Sequence, residues 1–455
     1  IHHLLLFGWA RLFGTGDAAM RVPSAATSIA SVGVLWLFGR RSLGQGARLV
    51  AVFLLAVSPT LLLYGRMARY FSPSAFLALL SSLLLVIAVQ KSRTGRGSAR
   101  MWGAYAVSAF AMVMTNYTNL AILGSQALAF ALWARRGETA RAPVGAWALA
   151  LGGVLAPFAA WIAFDFRRVS EFGAPERPFE IGGWEEMVLD AAYPFFSFSF
   201  GETIFPWHPA VVVALPLVVW ALWKGVRWSL TSKSFAGMLA PIIVAGTLGA
   251  TVLSYQTFVR DLPFVTVPAR TIGALPFFLL LLAAGVTSLP SGWRAAAAGA
   301  IAAAVVAATF NYFDSRQFNN PALAIPKRRI VSDVLAKSRP GDLVVADEDL
   351  NIDYYYPPAR VAPRLILSEE ESLALREIRD RGRDRVWLIT MGRDGTRGKE
   401  PVRIETALHQ DFRLITLRGY LPQDRTYIAV KEAVQGFESY RFKATVRLFE
   451  RDRGG

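Results

Sequence analysis

Runs of Leu, Ala, Val and Phe recur through the first 320 residues of the chain and are separated by short polar stretches. A transmembrane helix needs roughly 20 mostly apolar residues, and most of these runs approach that length. The hydrophobic windows and the turn residues between them predict ten membrane-spanning helices. These are 21–39, 47–64, 72–90, 101–115, 118–134, 144–164, 207–224, 235–255, 270–289 and 294–312.

The two ends of the chain have a different character from this predicted transmembrane domain of 21–313. Residues 325–455 are charged and mixed, and "RPGDLVVADEDL" and "DRVWLITMG" show a turn followed by a strand, so this part predicts a small α/β domain. Residues 1–20 begin "IHHLLLFGWARLFG", which is too short to span a bilayer and carries Arg11. They predict an amphipathic segment lying at the outer membrane interface.

Positive charge separates the loops into two sets when they are taken alternately. One set holds 14 Lys and Arg residues and one acid, and comprises 40–48, 91–100, 135–142, 224–233 and 290–294. The other set holds seven basic residues and nearly all the loop acids, and comprises 64–71, 115–119, 165–206 and 256–270. Because basic loops stay on the cytoplasmic side, the second set is predicted to face outward, together with the C-terminal domain.

The composition narrows the possible classes of protein. Only 18% of the residues are charged, against roughly 25% in soluble domains, which again indicates a membrane protein. The chain has no cysteine, and its four histidines show no metal-binding spacing. No metal site or other cofactor is predicted, and no nucleic-acid-binding module is recognisable.

The outward stretch "YGRMARYFSP" carries the first candidate chemistry. It places Arg66 and Arg69 beside Tyr70 on the side where basic residues are scarce. Such residues can simply anchor helix ends among lipid headgroups. The sharper interpretation is a site for a phosphate-bearing lipid, because a guanidinium offers a planar set of donors suited to phosphate oxygens.

Other outward residues are further candidates for substrate binding. Arg270 opens a predicted helix, where the helix N-terminus adds a positive field, although a headgroup anchor explains it equally well. In "TNYTN", Asn116 and Tyr117 could bind sugar hydroxyls or merely cap a helix. Weaker candidates, each with a plainer structural explanation, are Arg260, His208, the acids Asp165, Glu185, Glu186 and Asp190, and the segment 347–358.

Several blocks of the chain resemble one family when they are read in order. "IHHLLLFGWARLFGTGDAAMRVPSA", "LLAVSPTLLLYGRMARYFSPSAFLALLSSLLL" and "TNYTNLAILGSQALAFAL" are similar to the GT-C fold glycosyltransferases that use polyprenyl-phosphate sugars. The nearest branch is family 39, which includes protein mannosyltransferases and the lipid A aminoarabinose transferase. The resemblance covers most of 1–135 and returns at "VPARTIGALPFFLLLLAAG".

The resemblance implies inverting sugar transfer with an Asp as general base just after the first transmembrane helix. That Asp is expected upstream of Ile1, so the chain is expected to be truncated at its N-terminus and no catalytic residue can be named. Arg69 matches a family Arg, whereas Met67 replaces the family Glu and Arg66 replaces a Gln. His3 falls on an aromatic or His position of the family, and Asn116 stands where the family often has His.

These observations together predict a polytopic α-helical membrane glycosyltransferase with an extracytoplasmic C-terminal α/β domain, in a bacterial cell membrane. It would move a sugar from a polyprenyl-phosphate donor to a protein, lipid or glycan acceptor. The alternatives are a non-catalytic subunit of the same fold and a transporter of lipid or lipid-linked sugar. The near absence of charge within the predicted spans argues against a transporter.

Overall fold

The described residues up to position 314 are almost entirely helical in the computed structural model of the chain, which divides into two compact units, 1–309 and 310–455. The structure describes residues 2–94, 98–135, 143–171, 184–232, 234–256, 268–314, 318, 325–346, 355–357, 364–367, 371–380, 383–394, 401–420, 426, 429–430, 433 and 441–452. The helices of the first part are α1 (His2–Phe13), α2 (Asp17–Ser42), α3 (Gln45–Ala56), α4 (Pro59–Gly65), α5 (Phe71–Thr94), α6 (Ser98–Thr115), α7 (Leu120–Arg135), α8 (Val144–Glu171), α9 (Trp184–Phe200), α10 (Pro209–Thr231), α11 (Phe235–Gln256), α12 (Pro268–Thr271), α13 (Leu275–Thr287) and α14 (Ser291–Asp314).

Each of the ten predicted spans coincides with a helix or with two helices separated by a short break. By length and composition, six of the described helices could cross a membrane, or seven if the bent pair α3–α4 is one span. The prediction of a polytopic helical fold is therefore confirmed. Helix α9 was not predicted, because its sequence lies in a stretch rich in acidic residues that was interpreted as loop.

A proline causes the break between α3 and α4. Pro59 cannot donate the backbone hydrogen bond that would continue α3, so the helix ends and a new one starts. The Ser58 hydroxyl caps the new helix by accepting a hydrogen bond from the Leu61 amide at 3.3 Å. The two axes differ by 42°. The break sets where α4 begins and how it is oriented, and Arg66 follows directly after its last residue, Gly65.

Two glycines allow α10 and α13 to cross with their backbones in contact. A methyl group added at Gly285 would overlap the carbonyl oxygen of Ala221, and one at Gly225 would overlap that of Leu281. Small residues at such positions are typical of close helix crossings in membranes.

Gly285→Ala is therefore expected to destabilise the bundle. Overpacking in a tight interior typically costs about 1–3 kcal/mol, and here the obstacle is backbone, which cannot rotate away. Thermal unfolding of the purified protein in detergent would measure the loss. Gly299→Ala in α14 is the matched control, because nothing lies within 4 Å of the added methyl group there. Equal melting temperatures for both variants would contradict this packing argument.

The described residues of the second unit form a five-stranded mixed sheet. Its strands are β1 (Leu343–Ala346), β2 (Arg364–Leu367), β3 (Arg385–Asp394), β4 (Phe412–Tyr420) and β5 (Arg441–Arg451), in the order β2-β1-β3-β5-β4. Strand β1 pairs in parallel with β2 and β3, and β5 is antiparallel to β3 and β4. The helices are α15 (Lys327–Leu335), α16 (Glu371–Asp380) and α17 (Pro401–Asp411).

Both faces of this sheet are covered. Val344 of β1 packs in one apolar cluster with α15, and the adjacent Val345 packs in the other with α16 and α17. Successive strand residues point to opposite faces, so a β1 that is buried throughout needs helices on both sides. The predicted C-terminal α/β domain is confirmed.

Asp333 ties α15 to the end of β4. It accepts a 2.6 Å hydrogen bond from the Tyr420 hydroxyl and lies 2.8 Å from the Arg418 guanidinium. The hydrogen bond from Tyr420, with the charge of Arg418, holds the pKa of Asp333 below its usual value. Burial, together with the bond to Asp333, raises the pKa of Tyr420 to about 12.

A lowered carboxyl pKa predicts acid sensitivity of this contact. The ionised Asp333 contributes stability above its unfolded pKa of about 4, and the contribution is lost as pH falls through the folded pKa. Removing the hydrogen bond with Tyr420→Phe should raise the folded pKa and weaken this dependence. The difference in melting temperature between wild type and Tyr420→Phe is therefore expected to narrow from neutral to acidic pH. A melting-temperature difference between the two proteins that does not change with pH would contradict this prediction.

Candidate functional site

The segment between α4 and α5 carries the two arginines that the sequence singled out. The backbone amide of Arg66 bonds to the Leu62 carbonyl at 3.4 Å as α4 ends, and α5 begins at Phe71. The Ser24 hydroxyl of α2 donates to the Arg69 carbonyl at 3.2 Å, which ties the segment to the bundle. Arg66 is half-buried and the Arg69 side chain is exposed.

Arg270 reaches this segment from a distant part of the chain. Its guanidinium lies over the Tyr70 ring, 5.6 Å from the centroid. Its backbone carbonyl accepts hydrogen bonds from Asn116 Nδ2 at 2.9 Å and from the Thr118 hydroxyl at 2.6 Å. The start of α5, the end of α6 and the short helix α12 therefore meet at one place. We call it the arginine cluster (Arg69, Tyr70 and Arg270, with Arg66 in the same segment).

The polar residues of "TNYTN" hold this meeting point together. Asn116 is buried and its Oδ1 accepts from the Thr118 hydroxyl at 2.9 Å. Asn119 is also buried and donates to the Ser74 hydroxyl at 2.9 Å and to the Met112 carbonyl at 3.1 Å. Asn116 is thus occupied with positioning Arg270, which favours the capping interpretation over sugar binding.

Tyr117 belongs to a different aromatic group. Its hydroxyl accepts a hydrogen bond from Trp161 Nε1 at 2.9 Å, and its ring meets Phe158 with centroids 5.8 Å apart. The side chain is 45% exposed, so it remains open to a ligand on the side facing away from α8.

His2, rather than the predicted His3, lies against the arginine cluster. The His2 ring meets the Tyr70 ring edge to face at 6.4 Å, while His3 is exposed and contacts His2 at 5.5 Å. Consecutive helix residues point about 100° apart, and the sequence did not show which of the two faces the bundle. Burial raises the pKa of Tyr70, and the charges of Arg270 and Arg69 act in the opposite direction.

A buried carboxylate that the sequence reasoning missed lies near the end of α4. Glu202 is only 2% exposed and accepts hydrogen bonds from Tyr64 Oη at 2.6 Å, Ser197 Oγ at 3.2 Å and Tyr193 Oη at 3.2 Å. Burial raises the pKa of Glu202, and the three hydroxyl donors oppose that effect. A lone acid in the apolar and aromatic stretch "FSFSFGETIFPW" was the available signal.

The remaining candidates divide into those with a structural role and those outside the described residues. His208 caps α10 by accepting a hydrogen bond from the Ala210 amide at 3.2 Å. Arg260, most of 347–358, and the side chains of Asp165, Glu185, Glu186 and Asp190 fall outside what the structure describes. Within the described part of the chain, no group of three or more His, Asp or Glu side chains could hold a metal ion.

Comparison with known proteins decides the fold. Residues 2–164 match the family model of dolichyl-phosphate-mannose-protein mannosyltransferases. The apo crystal structure of ArnT from Cupriavidus metallidurans is similar with a TM-score of 0.54 at 14% identity, over 98% of this chain and 86% of ArnT. The chain has the GT-C fold of this structure, and its first third is similar to the mannosyltransferase family.

A second ArnT structure shows the same similarity. ArnT from Cupriavidus metallidurans bound to undecaprenyl phosphate has a TM-score of 0.50 at 12% identity, over 98% of this chain and 87% of that one. No curated protein sequence matches the chain. The GT-C fold of this protein thus rests on its architecture and on the family match of its first third.

Proposed function

We propose that this GT-C protein is a membrane glycosyltransferase that moves a sugar from a polyprenyl-phosphate donor to an acceptor on the extracytoplasmic face. The observation that carries the proposal is the arginine cluster, in which Arg270 joins the segment of Arg66 and Arg69 from about 200 residues away in the sequence. Cations gathered at one end of an apolar bundle suit an anionic lipid headgroup.

In sugar transfer, the arginine cluster would stabilise the negative charge that develops on the phosphate. As the bond between the sugar and the phosphate oxygen breaks, its electron pair stays on the phosphate, which gains negative charge. Preorganised guanidinium donors stabilise that charge, and one such donor is typically worth about 3–4 kcal/mol. The acceptor hydroxyl forms the new bond to the sugar and loses its proton to a general base.

We do not assign that general base to Glu202. Its carboxylate is only 2% exposed and already accepts three hydrogen bonds from protein hydroxyls, so it is enclosed by the protein and not open to an acceptor substrate. Glu202 instead holds Tyr64, and thereby the end of α4 from which Arg66 follows. Its proposed role is to position the segment that carries the cations.

The fold and its relatives support the choice of donor. The ArnT structure that shares the fold was obtained with undecaprenyl phosphate, which combines a long apolar chain with one phosphate. The proposal includes a bacterial cell membrane as location and an extracytoplasmic C-terminal domain, in line with the distribution of basic loops.

A sided transfer assay tests this function. Right-side-out and inverted membrane vesicles that contain the protein would be supplied with polyprenyl-phosphate-linked radioactive sugars, and label in protein, lipid and glycan fractions would be measured. We expect label to reach an acceptor on the extracytoplasmic side only. Movement of intact donor across the membrane without transfer would indicate a transporter. Neither transfer nor movement, with donor binding intact, would indicate a non-catalytic subunit.

A further inference from the structure

Nε2 of His2, beside the arginine cluster, is buried without a hydrogen-bond partner among the described residues. The His2 and Tyr70 rings meet edge to face with their centroids 6.4 Å apart, and the His2 side chain is more than nine-tenths buried. The Tyr70 hydroxyl is buried as well, and the Arg270 guanidinium is its hydrogen-bonding neighbour. An unsatisfied buried polar group costs about 1–3 kcal/mol, so the imidazole nitrogen of His2 is a position that a ligand would satisfy.

The surroundings define the chemistry of that ligand. Arg270 lies over the Tyr70 ring, and Arg69 is the residue next to Tyr70 in the chain. A tyrosine hydroxyl and a protonated histidine can both donate hydrogen bonds, and both arginines carry positive charge. The group that satisfies all of them is an anionic acceptor of several hydrogen bonds, such as a phosphate.

We infer that His2 is a phosphate-binding residue, which donates from Nε2 to the same lipid phosphate that Arg270 holds and does so as an imidazolium. The inference rests on the proposed function for the identity of the lipid. The family resemblance had pointed to His3, which is exposed and contacts the His2 ring.

Because the charge state of His2 changes with pH, the inference predicts that the affinity for the phosphate also changes with pH. Burial lowers the pKa of His2, as does the neighbouring His3, while the Ala68 backbone acts in the opposite direction. Tyr70 lies against the His2 ring from the segment that follows α4, and Arg270 lies over the Tyr70 ring. Without a ligand the buried ring therefore takes up a proton less readily than a free imidazole. A bound phosphate reverses the local field, so binding and protonation should favour each other.

Equilibrium binding to the full chain in lipid nanodiscs tests this. The probe is radiolabelled undecaprenyl methyl phosphate, a phosphodiester whose single charge stays constant over the pH range used. For wild type we expect the Kd to fall as pH is lowered from about 8 to about 5.5, by at most about tenfold per pH unit, the limit for uptake of one proton. His2→Phe, which keeps a ring against Tyr70, should bind more weakly and with a flat pH profile.

Controls separate this inference from the proposed function. His3→Gln should behave like wild type, and His2→Gln should be as flat as His2→Phe, so the test survives if one variant fails to fold. Wild-type binding that is lost in Arg270→Gln but unchanged in both His2 variants would overturn the role of His2 and leave the function standing. No lipid binding by wild type at any pH would overturn both.

Competition with a free anion tests whether the site takes a lipid phosphate or any oxyanion. Sulfate keeps a constant charge over the same pH range and competes only for the headgroup site. We expect it to displace the lipid probe at concentrations far above the lipid Kd, and less effectively from His2→Phe. If sulfate binds as tightly as the lipid probe, the site takes free oxyanions and the assignment to a lipid phosphate is wrong.

Discussion

Replacing Arg270 by glutamine is expected to lower the rate of sugar transfer by about 10²- to 10³-fold, the usual effect of removing one preorganised donor from a developing oxyanion. The fold should be retained, because Asn116 and Thr118 donate hydrogen bonds to the backbone carbonyl of Arg270 and not to its side chain. The contact with the Tyr70 ring would be lost, at a cost of about 0.5–2 kcal/mol.

Initial transfer rates in the vesicle assay, with melting temperature beside them, would measure this effect. Arg270→Lys retains the charge but not the planar pair of donors, so its rate should lie between those of wild type and Arg270→Gln. Arg11→Gln is the control for a basic residue that lies on α1 and outside the cluster. Transfer at the wild-type rate by folded Arg270→Gln would remove Arg270 from the phosphate site.

Replacing Glu202 by leucine is expected to destabilise the protein by about 3 kcal/mol, because buried hydroxyl donors lose the acceptor that satisfies them. Tyr64 is only 3% exposed and its bond to Glu202 is the shortest of the three, at 2.6 Å. Since Tyr64 is the penultimate residue of α4, we also expect Arg66 to be less well positioned and transfer to slow.

A double-mutant cycle would show that the effect comes from this contact. If Tyr64→Phe and Glu202→Leu act through one hydrogen bond, their combined effect on the free energy of unfolding should fall short of the sum, by about 0.5–3 kcal/mol. Asp17→Ala is the matched surface control, because Asp17 and Arg21 are partly exposed and 4.0 Å apart. An ion pair of this kind contributes little to the free energy of unfolding. If the two substitutions have additive effects on the free energy of unfolding, the Tyr64–Glu202 hydrogen bond is not the cause of the lost stability.

The membrane part could be predicted largely from the sequence because its signal is local. A run of apolar residues needs only its own backbone hydrogen bonds to form a helix in lipid, and all ten predicted spans are helical. The α/β character of 325–455 was likewise visible in turn and strand patterns. Helix α9 was not predicted because its first half lies among acidic residues that are typical of a loop. Its second half, up to Phe200, is nevertheless largely buried against the bundle.

The site could be predicted only where rare residues stood out against an apolar background. Arg66, Arg69 and Arg270 were visible as basic residues in loops that are predicted to face outward and have few of them, and the structure brings Arg270 to the segment of the other two. Asn116 was visible as a polar residue, but its partners were not. Its role follows from a contact with the Arg270 carbonyl, 154 positions away in the chain.

The sequence by itself determined the positions of the ten predicted helical spans, the separation of basic and acidic loops, and the α/β nature of the C-terminal part, since each depends on neighbours in the chain. Only the tertiary structure decided that His2 and not His3 faces the cluster, and that Glu202 is a buried partner of Tyr64. Both depend on which helix face packs against which distant element. That choice is made by contacts between residues far apart in the chain, and local patterns of hydrophobicity and charge do not encode it.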